Sequence, residues 1–386
     1  VLLCTIMSMS TLFAQNAEKS LAERLNLVEK QNDSFSFYLN MQNRGNVEFL
    51  NGSFSKAYFK NEQLRMEMRG SISNMISYRL RHRLNKSNVA QNLDGIAKAT
   101  DIAAVGITPM DNFTITLGKQ CAAYGGFEFD LNPIDIYQYS DMIDYMDNFL
   151  AGIDFAYGFN NQEFRFQVLD ARSSKFEDVY SAYSNGGVIM NNNMEAIEAS
   201  KAPLLYTLNW NGNILDGRIL TRWSYTYGSD ARSQHINYVA LGTQVKVCEM
   251  LKMQFDWMNS KEDIDRKGII SDLNNHFKKA AYMNNKYLAA NAKYDSYVLK
   301  FDVKAFKDWN IMLKGMYETA TADGLSSKAR EAYGFVGGVE YAPFDDDIKF
   351  FANYTRRDYS FARDAYGTDY DTERYSIGLV YRLKMF

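Results

Sequence analysis

Arginine occupies every second position in one short stretch, where Arg79, Arg81 and Arg83 alternate with Tyr78 and Leu80. Successive side chains of a β-strand point to opposite faces, so this spacing predicts one apolar face and one face bearing three guanidinium groups. Guanidinium groups are permanently charged and bind carboxylates and phosphates through paired hydrogen bonds. Taken alone, the stretch is also compatible with the solvated outer face of a soluble sheet.

Acidic residues are concentrated in a different segment, from Gln120 to Phe149, which contains no lysine or arginine. Its carboxylates are Glu128, Asp130, Asp135, Asp141, Asp144 and Asp147. The segment has two interpretations. It is either a plain acidic surface loop or a loop that folds inward and sets carboxylates opposite the arginines, which would create an electric field across a channel.

The alternation around the arginines recurs in about sixteen segments along the chain, which indicates β-structure throughout. Aromatic residues make up 15% of the sequence, there are only 4 prolines, and beyond residue 14 no apolar run approaches the roughly 18 residues of a spanning helix. Apolar faces of so many strands can be buried in lipid, with the polar faces lining water. The predicted fold class is therefore all-β: a transmembrane antiparallel β-barrel of about sixteen strands with a short N-terminal periplasmic helix.

Long and short connections take turns along the predicted barrel, which is how we count its strands. Long loops are expected at Gly45–Gly52, Asn85–Ala99, Gln120–Phe149, Ala171–Lys201, Gly228–His235, Ser260–Asn285, Ala320–Ala332 and Tyr359–Asp371. Short turns fall between them, and a segment from Lys286 to Phe306 reads as one long strand. Sixteen strands are enough to enclose an aqueous channel.

The inward parity of the predicted strands carries more basic than acidic residues, in a protein of net charge −3. The arginines expected to line the pore are Arg65, Arg69, Arg79, Arg81, Arg83, Arg165, Arg218 and Arg222. The balancing negative charge must lie in turns and loops, above all in the acidic segment, which we expect to form the constriction.

The two ends of the chain predict export and membrane assembly. Residues 1–14 resemble a signal peptide, cleaved near Ala14, and residues 15–33 contain a short amphipathic helix with Leu21, Leu25 and Val28 on one face. Residues 34–386 form the predicted barrel. The last strand ends in Phe386, which resembles the signal read by the outer-membrane assembly machinery. We therefore expect a bacterial outer-membrane location, in contact with lipid and lipopolysaccharide.

Enzymatic and nucleic-acid functions find little support in the sequence. It has no Gly-x-Ser-x-Gly elbow, His-Glu-x-x-His motif, nucleotide-binding glycine loop or Cys-x-x-Cys pair. The pI near 5.8 gives no reason to expect nucleic-acid binding. No catalytic residue, metal site or cofactor is predicted.

Several short motifs together resemble the phosphate-selective porin O/P family. They are Tyr78-Arg79-Leu80-Arg81, Leu117-Gly118-Lys119-Gln120, Gly125-Gly126-Phe127-Glu128 and the Ala342-Pro343 turn. The resemblance spans the mature chain and implies a sixteen-stranded homotrimeric porin with an arginine-lined lumen, constricted by the loop after the fifth strand. The sequence departs from the anion-trapping form of the family, which carries cations on that loop.

The expected function is therefore passive diffusion of small polar or charged solutes through a water-filled lumen with a basic wall and an acidic constriction loop. Two alternatives stay open. The barrel could be an anion- or phosphate-selective porin, or it could be a non-conducting structural or adhesin barrel that acts through its external loops.

Overall fold

The computed structural model describes residues 34–89, 93–278, 286–344, 348–365 and 367–385. The predicted signal peptide, the predicted helix before residue 34 and Phe386 lie outside these ranges.

Within the described residues, sixteen strands form one closed antiparallel barrel, in which the first and last strands also pair. The barrel strands are β1 (Ser36–Leu50), β2 (Ser53–Ser73), β3 (Ile76–Arg83), β4 (Thr100–Met110), β5 (Phe113–Cys121), β6 (Phe149–Phe159), β7 (Gln162–Asp170), β10 (Ala199–Ile214), β11 (Ile219–Ala231), β12 (Ile236–Cys248), β13 (Leu251–Ile264), β14 (Ala290–Phe306), β15 (Trp309–Thr321), β16 (Arg330–Phe344), β17 (Ile348–Phe361) and β18 (Tyr370–Lys384). Two short strands, β8 (Ser184–Asn185) and β9 (Val188–Ile189), form a separate two-stranded sheet. The predicted strand count and the single strand before Phe306 are confirmed.

The alternation of side chains sets which face of each strand turns inward. On β11, Arg222, Ser224 and Thr226 are buried inside the barrel, whereas Trp223 and Tyr225 are exposed on its outer surface. A polar interior with an aromatic and aliphatic exterior is the arrangement that a lipid bilayer requires of a barrel.

Most long loops lie at one end of the barrel, here called the long-loop end, and the short turns after β2, β4, β6, β10, β12, β14 and β16 lie at the opposite, short-turn end. The predicted loop Gly45–Gly52 is wrong, because β1 continues to Leu50 and pairs with β2 along this stretch. The hairpin closes through Asn51 and Gly52, whose φ angles are 49° and 70°. Both are positive, as a type I′ turn requires, and Asn-Gly is the residue pair that favours this turn. The predicted loop Gly228–His235 is also shorter than expected, since β11 runs on to Ala231.

The connection between β5 and β6 folds into the barrel, and we call residues 122–148 the constriction loop. It contains helix α1 (Phe127–Asp130), a 3-10 turn at Pro133–Asp135 and helix α2 (Asp141–Asp144). Its apolar side chains, among them Ile134, Met142 and Ile143, pack in a buried cluster with wall residues such as Tyr238, Met258, Met312 and Phe351. Each fully buried aliphatic side chain contributes about 1.5–3 kcal/mol. Apolar packing therefore helps to hold the loop inside the barrel.

A second cluster lies at the long-loop end. Phe176, on helix α3 (Phe176–Val179), packs with Tyr180, Ile189 and Leu288, so the loop after β7 rests on the one that precedes β14. The latter loop contains helix α4 (Ile269–Lys278), the longest of the described helices. None of the described helices has the length and apolar character needed to cross a membrane.

Candidate functional site

Five arginines of β2 and β3 lie side by side on the inner wall and form what we call the arginine cluster: Arg65, Arg69, Arg79, Arg81 and Arg83. The strand register pairs Arg65 with Arg83 and Arg69 with Arg79. Neighbouring guanidinium groups on adjacent strands repel one another, so the fold has to supply carboxylates among them.

Two buried carboxylates partly neutralise the arginine cluster. Glu67 on β2 lies 2.9 Å from Arg79 Nη2. Asp101 on β4 is 0% exposed and lies 2.7 Å from Arg83 Nη2, 3.2 Å from Arg81 Nε and 3.7 Å from Arg65 Nη1. Five guanidinium groups thus face two carboxylates, and the wall keeps a net positive charge.

Asp101 is a central residue that reasoning from the sequence missed. The register between β3 and β4 shifts at Arg81 and His82, where His82 pairs with Thr100 and Asp101 is the extra residue. A bulge of this kind redirects a side chain relative to simple alternation. A count of odd and even positions therefore could not place Asp101 beside the arginines.

The other arginines predicted to line the pore have different surroundings. Arg165 is buried and contacts Asp154 Oδ2 on the neighbouring strand at 2.5 Å. Arg222 is buried, and its Nε lies 3.0 Å from Asp130 of the constriction loop. Arg218 lies outside β11, in the turn that precedes it, and is exposed. The prediction that Arg218 lines the pore is therefore wrong, because the turn between β10 and β11 occupies residues 215–218.

Four carboxylates of the constriction loop form ion pairs with cations on the wall formed by β11 to β17. Asp130 contacts Arg222, Asp141 contacts Arg330 and Arg357, Glu128 contacts Lys314 and Asp135 contacts Lys349. The expectation that these carboxylates oppose Arg79, Arg81 and Arg83 therefore needs correction. The loop carboxylates instead contact other basic residues, on β11, β15, β16 and β17.

Asp141 is the most connected of the loop carboxylates. Its oxygens lie 2.6 Å from Arg330 Nη1 and 3.0 Å from Arg357 Nη2, and its backbone N–H donates to Glu318 on β15. Burial raises the pKa of Asp141, but the two guanidinium groups outweigh this effect and bring the pKa below its usual value. Asp141 is therefore ionised and fixes α2 to the wall.

The remaining two carboxylates of the loop behave differently. Asp147 accepts hydrogen bonds from the backbone N–H and hydroxyl of Ser173, at 3.0 and 2.7 Å, and so joins the constriction loop to the next long loop. Asp144 is exposed. Partial burial, together with the nearby charges of Asp141 and Glu128, raises the pKa of Asp144. Of the six described loop carboxylates, Asp144 alone is exposed to solvent.

Tyr139 of the constriction loop is held to β17, where Arg357 Nη1 donates to its carbonyl oxygen at 3.4 Å. Burial raises the pKa of its hydroxyl, and the positive charges of Arg65 and Arg81 oppose that rise.

Three more basic residues hold the loop and are absent from the predicted set. Arg44 on β1 and Arg374 on β18 donate to the carbonyl oxygen of Tyr137, at 3.3 and 2.7 Å, and Arg330 binds Asp141. Arg44 and Arg374 lie on the inward parity of their strands, so the alternation contained the signal for them. Arg330 falls within the predicted loop Ala320–Ala332, whereas in the structure it is the first residue of β16. Alternation alone does not show where a strand begins. Among the described residues, no group of His, Cys, Asp and Glu side chains is arranged to hold a metal ion.

Several solved outer-membrane proteins share this architecture. The channel DcaP of Acinetobacter baumannii has a TM-score of 0.60 at 9% identity, covering 91% of this chain and 98% of that one. Salmonella typhi OmpF, in complex with daunomycin, has a TM-score of 0.59 at 11% identity, covering 92% and 99%. OmpT of Vibrio cholerae has a TM-score of 0.54 at 12% identity, covering 91% and 98%. At such identities the likeness concerns the fold alone.

No curated protein matches the chain. The model of one protein family, phosphate-selective porin O and P, matches residues 35–383. That range includes every barrel strand except the last residue of β18, together with the arginine cluster and the constriction loop. The chain therefore belongs to the phosphate-selective porin O and P family and is an outer-membrane porin.

Proposed function

We propose that small polar solutes cross this porin by passive diffusion between the constriction loop and the wall of β2 to β4, with a preference for anions. One observation carries the proposal: the loop carboxylates are largely neutralised by wall cations, whereas the arginine cluster exceeds its two carboxylates. The charge that a solute meets in the passage is consequently positive on balance.

The arginine cluster also offers hydrogen-bond donors. Within the part of the chain that the structure describes, Arg79 Nε, Arg79 Nη1 and Arg81 Nη2 are buried without a hydrogen-bond acceptor. Two unit charges 4 Å apart interact by about 4 kcal/mol at an effective dielectric constant near 20. An anion passing the cluster would gain part of this energy through the long-range attraction of the excess guanidinium charge.

We expect the preference for anions to be weaker than that of a pore with a binding site that traps one kind of anion. The constriction loop contains no lysine or arginine, so the proposed passage has cations on its wall side and none on its loop side. A solute that is held from one side leaves more readily than one that is enclosed by cations. Such weak binding is compatible with conduction, which requires that a solute can leave its binding site. We infer selectivity for anions as a class.

Reversal potentials of single channels in planar bilayers test the proposal. We expect Arg79→Gln to shift the reversal potential towards cations and Asp144→Asn to shift it towards anions. Asp178→Asn is the matched control, since Asp178 is an exposed carboxylate on α3, outside the constriction loop, and its replacement should leave selectivity unchanged.

The same experiment separates the competing mechanisms. A large effect of Asp144→Asn without any effect of Arg79→Gln would show that the acidic loop controls selectivity. A wild-type protein without conductance would instead favour a structural or adhesin barrel that works through its long loops.

The cellular setting completes the proposal. The long-loop end would face the exterior and the short-turn end the periplasm, following the usual arrangement of outer-membrane barrels. One structural neighbour, OmpT of Vibrio cholerae, has been solved in a trimer form, which supports a homotrimer here. Export through a cleaved signal peptide, assembly through the strand that ends in Phe386, and contact with lipopolysaccharide stay predictions.

A further inference from the structure

Three aromatic side chains stack on the inner wall near the long-loop end, where β17 ends and β18 begins. Tyr359 pairs with Tyr370 in the strand register, and their ring centroids lie 4.5 Å apart at an interplanar angle of 26°. Phe361 continues the row, with its ring centroid 6.1 Å from that of Tyr370 and an interplanar angle of 24°. Near-parallel rings at such distances are stacked. We call Tyr359, Phe361 and Tyr370 the aromatic stack.

The aromatic stack faces the interior of the barrel, beside the constriction loop. Tyr359 lies two residues beyond Arg357 on β17 and therefore on the same face of the strand. The guanidinium carbons of Arg330 and Arg357 lie 4.9 and 5.3 Å from the centre of the Tyr359 ring. Because both arginines bind Asp141 of α2, the stack lies next to that helix.

Packing alone does not explain why aromatic residues occupy this part of the polar inner wall. Other inward rings, those of Tyr238, Tyr294 and Phe351, lie in the buried cluster beneath the loops and are 1%, 3% and 3% exposed. Tyr370 is 36% exposed, and its inward direction keeps it away from lipid. A solute that covered its exposed apolar surface would remove that surface from water, which is favourable.

A further ring belongs to the constriction loop. Tyr145 directly follows α2, and its backbone N–H donates to the carbonyl oxygen of Asp141 at 3.2 Å. Its side chain is 53% exposed. Since Asp141 is held by the two arginines that contact Tyr359, Tyr145 lies within about one helical turn of the residue that joins α2 to the wall beside the stack.

Polar groups in the same region keep free hydrogen-bonding capacity. Within the part of the chain that the structure describes, the exposed Asp144 carboxylate and the hydroxyls of Tyr145, Tyr359 and Tyr370 form no hydrogen bond or ion pair. A carboxylate accepts hydrogen bonds, and a phenolic hydroxyl both donates and accepts them. Such groups suit the hydroxyl groups of a solute, each of which also donates and accepts.

We propose that the aromatic stack, together with Tyr145 and Asp144, binds the ring of a neutral sugar inside the barrel. A sugar ring has an apolar face of C–H groups and an edge of hydroxyl groups. It can therefore lie on an aromatic ring while its hydroxyls bond to carboxylate and phenol groups. A few polar groups beside apolar and aromatic surface are the usual composition of a small-molecule site. The inference rests on the proposed passive diffusion and names one class of polar solute for it.

The charges beside the stack favour a neutral ring over an ion. Two guanidinium groups already lie against Tyr359, so a further cation on this ring would be repelled. Both of these arginines are paired with buried carboxylates, and the exposed Asp144 would repel an anion. The site is separate from the arginine cluster on β2 and β3, to which we assign the preference for anions.

Block of the ion current by a sugar tests the site. A linear trimer of glucose is added to both sides of channels in planar bilayers, and polyethylene glycol of equal hydrodynamic size is the control for excluded volume. We expect the glucose trimer to reduce the current at concentrations at which polyethylene glycol has no effect, because only the sugar offers rings that can stack.

Substitutions on β18 separate stacking from other effects. Tyr370→Ala should raise the half-blocking concentration of the glucose trimer about tenfold, whereas Tyr370→Phe keeps the ring and should retain most of the affinity. Tyr375→Ala is the matched control, since Tyr375 is an exposed tyrosine on the outward face of the same strand. Its replacement should leave the block unchanged.

Calorimetry of the detergent-solubilised protein measures the same binding without conduction. Tyr145→Ala removes a ring that is more than half exposed, so it tests the site with little risk to folding. We expect this substitution to weaken binding of the glucose trimer several-fold in the calorimeter.

Each outcome bears on the sugar site separately from the pore. Equal block by the glucose trimer and polyethylene glycol, or equal affinity of the wild type, Tyr370→Ala and Tyr145→Ala for the trimer, would overturn the site. Block by choline that depends on Tyr370, without block by the sugar, would show a cation site in its place. A protein that binds the trimer but carries no current would contradict the proposed porin function and leave the sugar site intact.

Discussion

At the scale of single residues, the arginine cluster depends on the exact register of β3 with its neighbouring strands. A slip of β3 by one residue would move Arg79, Arg81 and Arg83 to the outer surface. Each arginine near the middle of a bilayer costs roughly 2–4 kcal/mol. The total is comparable with the stability of a whole domain, so the register is strongly specified.

Cysteine labelling checks this register. In a background with Cys248 replaced by serine, Arg79→Cys should react with a membrane-impermeant, water-soluble thiol reagent, because the side chain of Arg79 points into the lumen beside Glu67. Leu80→Cys is the control on the opposite parity and should stay unmodified. Labelling at position 80 without labelling at position 79 would contradict the inward orientation of the arginines.

At the scale of elements, the constriction loop is positioned by its first turn as well as by its ion pairs. Asp256 on β13 accepts hydrogen bonds from the backbone N–H groups of Phe127 and Glu128, at 2.7 and 2.8 Å. Two residues before Phe127, Gly125 has a φ of 74°, and a Cβ atom there would lie 2.9 Å from the carbonyl oxygen of Arg222. Only glycine combines this backbone conformation with such close approach to the wall.

Gly125→Ala should therefore detach the beginning of the loop. The left-handed conformation costs an alanine about 1–2 kcal/mol, and the clash with β11 adds to it. We expect larger and noisier single-channel currents, and faster proteolysis within the loop. Gly324→Ala is the matched control, since Gly324 has a φ of 80° but no atom within 4 Å of the point where a Cβ atom would stand. Equal effects of both substitutions would show that backbone strain alone is responsible.

At the scale of the whole molecule, the barrel separates charge across its interior. Loop carboxylates and wall cations cancel along β11 to β17, while the excess guanidinium groups lie on β2 and β3. The net charge of −3 for the chain hides this separation. Local charge in the passage, and not the overall charge, decides which ions are favoured.

Ionic strength should therefore weaken the selectivity of the intact porin. The Debye length falls from about 10 Å at 0.1 M salt to about 3 Å at 1 M. We expect the preference for anions, measured as reversal potential under a fixed salt ratio, to decline steadily over this range. Selectivity that stays constant would indicate that solute size controls passage.

The sequence alone determined the fold class, the strand count and the inward direction of the arginines on β2 and β3. These features follow from the two-residue period of a strand, which every segment expresses locally. The same period covers Arg44 and Arg374, which lie at or just beyond the ends of the predicted strands. The strand ends predicted at Arg218 and at Gly45–Gly52 were wrong, because the end of a strand depends on pairing with a neighbouring strand.

Only the tertiary structure decided which charges cancel. Asp141 and Arg330 are 189 residues apart in sequence, and Lys314 and Glu128 are 186 apart. No local pattern records such a pairing, since it arises when barrel closure brings the loop against a distant wall. The position of Asp101 could not be predicted from the sequence for another reason. Asp101 is an extra residue in β4 relative to β3, and this bulge turns its carboxylate towards the arginines, where simple alternation would not place it.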